Sequence, residues 1–304
     1  MSYMMKPMSY VAVIVMGYLL KRIGFLRDRE RQTLSRIMLN ITLPCAIMQA
    51  FDGLDAGAGL FLIAGLGLLC AGLPILLVYA MTRGKETRLR VYRMLNIGGY
   101  NIGCFSVPLI SVFFGSAGVV TACLFDIGNA VVMTGGAYAM TSTLLGTGGR
   151  RESAKEILLK FLRSVPFDVY MAMLAVSALG ITLPKAVFTM TQPAGQANAF
   201  LAMLIIGLAF EPSGGRAMLG EAARLLGLRY ALAALFAAGI WFLAPFAQPV
   251  RAVLAVVCFA PLSSLSPIYT ERCGGDVALA GFTNSLSIAV SLAAMLTLST
   301  MLAV

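Results

Sequence analysis

The chain reads as an all-helical polytopic membrane protein, with ten spans arranged as two five-helix halves of opposite orientation. Three observations predict this. Hydrophobic residues make up 59% of the 304 residues and charged residues 12%, with a mean hydropathy of +0.87; a soluble domain carries about 25% charged residues. Lys and Arg gather on alternate loops. Polar and proline-rich interruptions recur inside apolar segments at corresponding places in the two halves.

About twenty apolar residues cross a bilayer as a helix. Ten segments read as spans, at roughly 8–24, 37–53, 57–81, 94–114, 118–146, 166–183, 191–211, 229–246, 250–269 and 277–303. Span 1 leads straight into a basic loop and reads as a membrane span, with no cleavable signal peptide. That loop and its flanks hold Lys21, Arg22, Arg27, Arg29, Arg31 and Arg36. Span 2 carries Thr42-Leu43-Pro44, and span 3 precedes Arg83, Lys85, Arg88, Arg90 and Arg93. Span 4 contains Asn96-Ile97-Gly98-Gly99-Tyr100-Asn101-Ile102-Gly103-Cys104-Phe105-Ser106-Val107-Pro108. Span 5 has Phe125-Asp126-Ile127-Gly128-Asn129 and precedes Arg150, Arg151, Lys155, Lys160 and Arg163. Span 7 opens with Thr191-Gln192-Pro193 and is followed by a loop holding Arg216, Arg224 and Arg229. Span 9 carries Phe259-Ala260-Pro261-Leu262-Ser263-Ser264-Leu265-Ser266-Pro267 before Arg272, and span 10 has Phe282-Thr283-Asn284-Ser285.

All but Lys6, Lys185 and Arg251 of the 23 Lys and Arg residues thus fall on one side. Positive loops stay cytoplasmic, so both termini face outward. Residues 1–150 form the first repeat and 151–304 the second, which enters the membrane upside down. The net charge of +10 is topology, with attraction to anionic lipid headgroups as a by-product. It does not point to nucleic acid.

Span 4 is not an uninterrupted helix. Glycine costs about 1 kcal/mol and proline about 3 kcal/mol relative to alanine in a helix interior. In lipid, a broken backbone is tolerated only where protein or a water-filled cavity satisfies the freed amides and carbonyls. Span 9, with two prolines and three serines, carries the matching break from the inverted half. Paired broken spans of this kind mark a transporter's binding site near the midplane.

These residues resemble the auxin efflux carrier family, including bacterial members known as malonate transporters. Gly17-Tyr18-Leu19-Leu20 with basic residues and Gly24 is similar to the family's opening helix. Leu39-Asn40-Ile41-Thr42-Leu43-Pro44 resembles its N-x-x-LP second helix. Asn101-Ile102-Gly103 with Pro108, Phe114-Gly115, and Leu124-Phe125-Asp126 with Asn129 look like its most characteristic block. Pro261 and Tyr269-Thr270-Glu271-Arg272-Cys273-Gly274-Gly275-Asp276 resemble its ninth helix and following loop. The resemblance implies ten helices in two inverted repeats in a bacterial inner membrane. Helices 1, 2, 6 and 7 would form a scaffold, with homodimer contacts. Helices 3–5 and 8–10 would form a moving, elevator-like transport domain around a crossover of helices 4 and 9. It also implies small organic anions as substrates. The second break departs from the family, offering only Ser263, Ser264 and Ser266 where an asparagine is often found.

A carboxylate site here needs donors without a deep basic residue, and no Lys or Arg lies in the middle of spans 4, 5, 9 or 10. Broken half-helices supply unpaired N–H groups and about half a positive charge at each N-terminus. Asn101 adds an amide, Ser263, Ser264 and Ser266 add hydroxyls, and Gly103 allows close backbone approach. Pro108 and Pro261 hold the breaks open. Asn101 contacts substrate, repairs its own broken backbone, or does both. Asp126 is the one acidic residue placed well inside a span, where a charge costs about 2.5–3.5 kcal/mol on insertion scales. Asn129 lies one turn away on the same face. Asp126 is either the group that carries a coupling proton or a structural cap. Asn40, Asn198 and Asn284 are weaker candidates that bond across helices.

Other classes fit less well. The chain has no histidine, and Cys45, Cys70, Cys104, Cys123, Cys258 and Cys273 are scattered without a CxxC. That argues against zinc, haem and a disulfide framework, so no metal or cofactor is expected. An intramembrane enzyme would need a His/Glu pair or a serine with a base. No GxxxxGK[ST] motif is present, which excludes ATP-driven pumping by this chain alone. The competing transport reading is a sodium-coupled organic anion symporter of the bile-acid type, which demands a dense cation site around the crossover.

Overall fold

The computed structural model describes residues 2–51, 60–147, 165–210 and 216–302. The boundary at 150/151 and the basic cluster from Arg150 to Arg163 lie outside the described residues. Among the described residues every regular element is helical. α1 (Ser2–Arg22) is followed by α2 (Asp28–Ile37), which runs through a π-helical turn (Met38–Thr42) into α3 (Leu43–Ala50). α4 is Leu60–Met81 and α5 is Thr87–Leu95. After an irregular stretch at 96–101, a second π turn (Ile102–Ser106) leads into α6 (Val107–Val131), then a third (Val132–Gly136) into α7 (Ala137–Leu145). Next come α8 (Val165–Ala178), α9 (Lys185–Ala209), α10 (Arg216–Leu243) and α11 (Gln248–Val257). Another irregular stretch, 258–265, precedes α12 (Ser266–Arg272) and α13 (Val277–Leu302).

Among the described residues, four helical stretches are long and apolar enough to cross a membrane: Phe61–Met81, Ile102–Leu145, Met218–Leu243 and Val277–Leu302. The second is 44 residues long, about twice what a bilayer needs, and is divided at Gly115 (φ 61°, ψ −155°). The first two π turns have one cause. Pro44 and Pro108 each sit at the start of the following helix, where the missing N–H and the ring widen the preceding turn.

The helices pack in two groups. α1 and α3 each lie against α9, and α8 lies against α3, with Gly17 of α1 against the Leu204 carbonyl of α9. α4 packs on α6, and α6 on α11; α10 packs on α11 and α13, and α5 on α7 and α12. The groups touch where α6 meets α3 and α9. Side chains also join the first group. Thr42 Oγ1 donates to Asn198 Oδ1 at 3.0 Å, and Gln49 Nε2 to Thr191 Oγ1 at 2.7 Å. Outward, α4 shows bare hydrocarbon, including Phe61, Leu69 and Leu76.

Several expected boundaries move. Span 4 begins as helix at Thr87 rather than 94, and span 8 at Arg216 rather than 229. Span 7 starts at Lys185, so Pro193 lies inside the helix rather than at its opening. For spans 4 and 8 the reason is the same. A reading by hydropathy stops at the first charged or polar residues, whereas helices continue through them into the interface, where long basic side chains snorkel.

Candidate functional site

The first break opens where α5 ends at Leu95. Asn96 stays fully buried and donates its amide to Thr270 Oγ1 of α12 at 3.0 Å. Gly99 takes φ 69°, a left-handed conformation that side chains rarely adopt, and turns its carbonyl inward. The Tyr100 peptide is gripped from both sides by Asn129 of α6. Tyr100 N–H donates to Asn129 Oδ1 at 2.9 Å, and Asn129 Nδ2 donates to the Tyr100 carbonyl at 2.9 Å. Asn129 Nδ2 also donates to Asp126 Oδ1 at 2.8 Å. Asp126 is therefore wired to the break through Asn129. Its other oxygen lies near Gly103, 3.8 Å from where a Cβ would stand.

The two breaks meet. Asn101 N–H donates to the Pro261 carbonyl at 3.0 Å, and Asn101 Nδ2 donates to Ser264 Oγ at 3.3 Å. Asn101 is half-buried and Ser264 exposed, so this pair borders open space. The Asn101 carbonyl accepts from Ser106 N–H at 3.3 Å, the first bond of the resumed helix. On the second break, Leu262 N–H donates to Ser287 Oγ of α13 at 3.2 Å. Each break thus has one amide held by a side chain from later in its own half, Asn129 of α6 for the first and Ser287 of α13 for the second.

One residue corrects the sequence reading outright. Arg229, expected in a cytoplasmic loop, sits near the middle of α10 and is 4% exposed. Its Nη1 donates to the Ile97 carbonyl at 2.6 Å. Its Nη2 donates to the carbonyls of Gly99 at 2.8 Å and Ala260 at 2.9 Å, with Pro261 at 3.5 Å. Its guanidinium carbon lies 4.8 Å from the Tyr100 ring centre. The site does have a deep basic residue. The run Leu225-Leu226-Gly227-Leu228 just before it was the available signal, since so apolar a stretch belongs in a membrane rather than in a loop.

Other expected residues divide. Gly103 lies within the π turn, and Pro108 starts α6, both at the break as expected. Ser263 is buried, its Oγ accepting from Leu265 N–H at 3.2 Å. Ser266 is buried with its Oγ unpartnered, as is Asn284 Oδ1. Asn40 does not join the site. It is exposed, and its amide donates to the Arg36 carbonyl of its own helix at 2.8 Å.

A family profile described as "Membrane transport protein" matches residues 3–160, more than half the chain. The chain belongs to the auxin efflux carrier family. An uncharacterized transporter of Methanothermobacter thermautotrophicus is 24% identical over 293 residues, spanning 94% of this chain and 93% of its own length. The protein is accordingly a membrane transporter.

For an auxin efflux carrier relative, a cavity near the breaks matters. One of about 360 Å³ lies where α6 meets α1, α3 and α9. Its polar lining comes from Tyr10, Gln49, Ser111, Ser116, Gln192, Gln196 and Asn198. Among the described residues no charged side chain lines it. Val107, at the foot of the resumed helix, forms part of its wall. Sequence reasoning named Gln192 only in the Thr191-Gln192-Pro193 opening of span 7 and Asn198 only as a residue that bonds across helices, and it passed over Gln49 and Gln196.

Proposed function

We propose that the protein is a secondary transporter that moves a small organic anion, a mono- or dicarboxylate, across a bacterial inner membrane by elevator-like alternating access. In this reading ten spans form two inverted repeats, 1–150 and 151–304. Helices 1, 2, 6 and 7 are the scaffold, often paired as a homodimer in such carriers, and 3–5 with 8–10 are the moving part. The observation that carries it is the direct bond from Asn101 N–H to the Pro261 carbonyl, which joins two broken helices at one point. The separation of the packing into two groups supports a scaffold and a moving body. The cavity lies among residues near the outward ends of helices 1, 2, 4 and 7, which suits an outward-facing entrance. Its amides and hydroxyls orient a polar solute, while Asn101, Ser264 and the first resumed turn after Asn101 receive the carboxylate.

The deciding experiment reconstitutes the protein in liposomes and screens labelled mono- and dicarboxylates, with and without imposed proton and sodium gradients. Uptake of at least one carboxylate is expected. A hydrogen bond to a charged group contributes about 1.5–3 kcal/mol, so Asn101→Ala should lower uptake at limiting substrate about ten-fold or more. Transport of a cation or neutral solute with no carboxylate moved would overturn the reading.

Asp126 supplies the coupling proton site in this proposal. Asp126→Asn keeps an oxygen to accept from Asn129 Nδ2, so the fold should persist while the proton exchange is lost. Uptake is then expected to become indifferent to an imposed proton gradient. Unchanged pH dependence in that variant would make Asp126 a structural residue.

A further inference from the structure

We propose that Arg229 is a tethered cation. Its guanidinium permanently fills the place between the two breaks where a carrier would otherwise bind a free alkali cation, so transport needs no sodium there. The proposal rests on the crossover reading above, but its first test reads stability and needs no substrate.

α5 and α11 each end in carbonyls without intrahelical partners, and each C-terminus carries about half a negative charge. Both ends point into the same small volume. Ile97 and Gly99 follow the end of α5, and Ala260 and Pro261 follow the end of α11. Such converging carbonyls are how broken helices coordinate sodium in other carriers. Here the four oxygens already have a partner, at 2.6, 2.8, 2.9 and 3.5 Å from one guanidinium. Among the described residues Arg229 makes no ion pair; its acceptors are main-chain carbonyls. Tyr100 closes one face of the cation with its ring. One unit charge thus balances two half-charges, and it does so from a rigid helix.

Geometry also says why arginine and not lysine stands here. The planar fork spreads donors to two separate carbonyl pairs at once, whereas an ammonium is a compact point charge. The cation is covalently fixed to α10, which packs on α11 and α13. It therefore stays with the breaks through any motion of that body, and no ion has to arrive or leave with each cycle.

The test uses purified full-length protein in detergent and follows thermal unfolding. The wild type should show the same Tm in sodium, choline or N-methylglucamine salts. Arg229→Ala should lose about 5–10 °C and regain at least half of it in tens of millimolar guanidinium, while the wild type gains nothing. Choline, which has no N–H donors, should not restore it. If Arg229→Ala yields no folded protein, Arg229→Lys, which keeps the charge, should fold and remain indifferent to sodium. Sodium-dependent stabilisation of the wild type or of Arg229→Lys would overturn the proposal, as would an Arg229→Ala protein whose Tm guanidinium does not raise. In liposomes, wild-type uptake driven by a sodium gradient would overturn it independently, whereas absence of any carboxylate uptake would count against the anion reading alone.

Discussion

Gly128→Val is expected to remove the folded protein, whereas Gly65→Val on the neighbouring helix should be tolerated. α4 and α6 approach backbone to backbone. A Cβ on Gly128 would fall inside the Ala64 carbonyl oxygen, and a Cβ on Gly67 inside the Phe125 carbonyl oxygen. Small residues at such crossings let membrane helices pack closely, where van der Waals contact drives association. Extra methylenes in a packed interior cost about 1–3 kcal/mol when side chains can adjust. Here the obstacle is main chain, which cannot rotate aside, so the helices must separate and the effect should exceed that range. Separation would also draw Asp126 and Asn129, on the same turn of α6, away from the break. Gly65 faces open space with nothing within 4 Å of its Cβ position, which makes it the control. Size-exclusion elution and thermal melting in detergent read the difference. A monodisperse Gly128→Val protein with wild-type Tm would refute the account of this interface.

The second large effect is expected of Asn129→Asp. The substitution preserves shape and changes only hydrogen bonding and charge. Asn129 is 2% exposed and uses both ends of its amide. Aspartate has no N–H, so the Tyr100 carbonyl loses its donor, and the 2.8 Å bond to Asp126 becomes a contact between two carboxylates. An unsatisfied buried group costs about 1–3 kcal/mol, and the like-charge contact adds to it. The variant should lose about 10 °C in Tm and transport at least about 100-fold more slowly, consistent with about 2.7 kcal/mol or more. Combining it with Asp126→Asn should recover the charge part alone, because Tyr100 would still lack its donor. A double-variant cycle that shows full recovery would mean Asn129 does not position the break.

The breaks were legible in the sequence because their composition conflicts with their surroundings. Gly98-Gly99 and Pro108 in one apolar segment, and Pro261 and Pro267 in another, have no place in intact helices. Their partners were less legible. Asn129 stood out beside Asp126 because they are one turn apart, but its hold on Tyr100 spans 29 positions and leaves no local pattern. Arg229 was misplaced for a different reason. An arginine is the strongest loop signal in a membrane sequence, and only the carbonyls that converge on it make burial tolerable. Asn40 erred the other way: an asparagine beside a proline motif looked like a site residue, yet it only bonds back to its own helix. Gln49 and Gln196 of the cavity were invisible for want of any spacing rule that links α3 to α9.

The junction of the breaks is made almost wholly of main chain. Asn101 gives its peptide N–H to the peptide oxygen of Pro261, and the hydrogen bonds of Arg229 across the breaks go to peptide oxygens. Peptide groups are the same whatever residue carries them. The side chains at positions 101, 263 and 264 are therefore at liberty to change without undoing the joint. On the proposed reading, a lineage of such proteins can exchange its cargo by drift at a few positions while this joint stays the same.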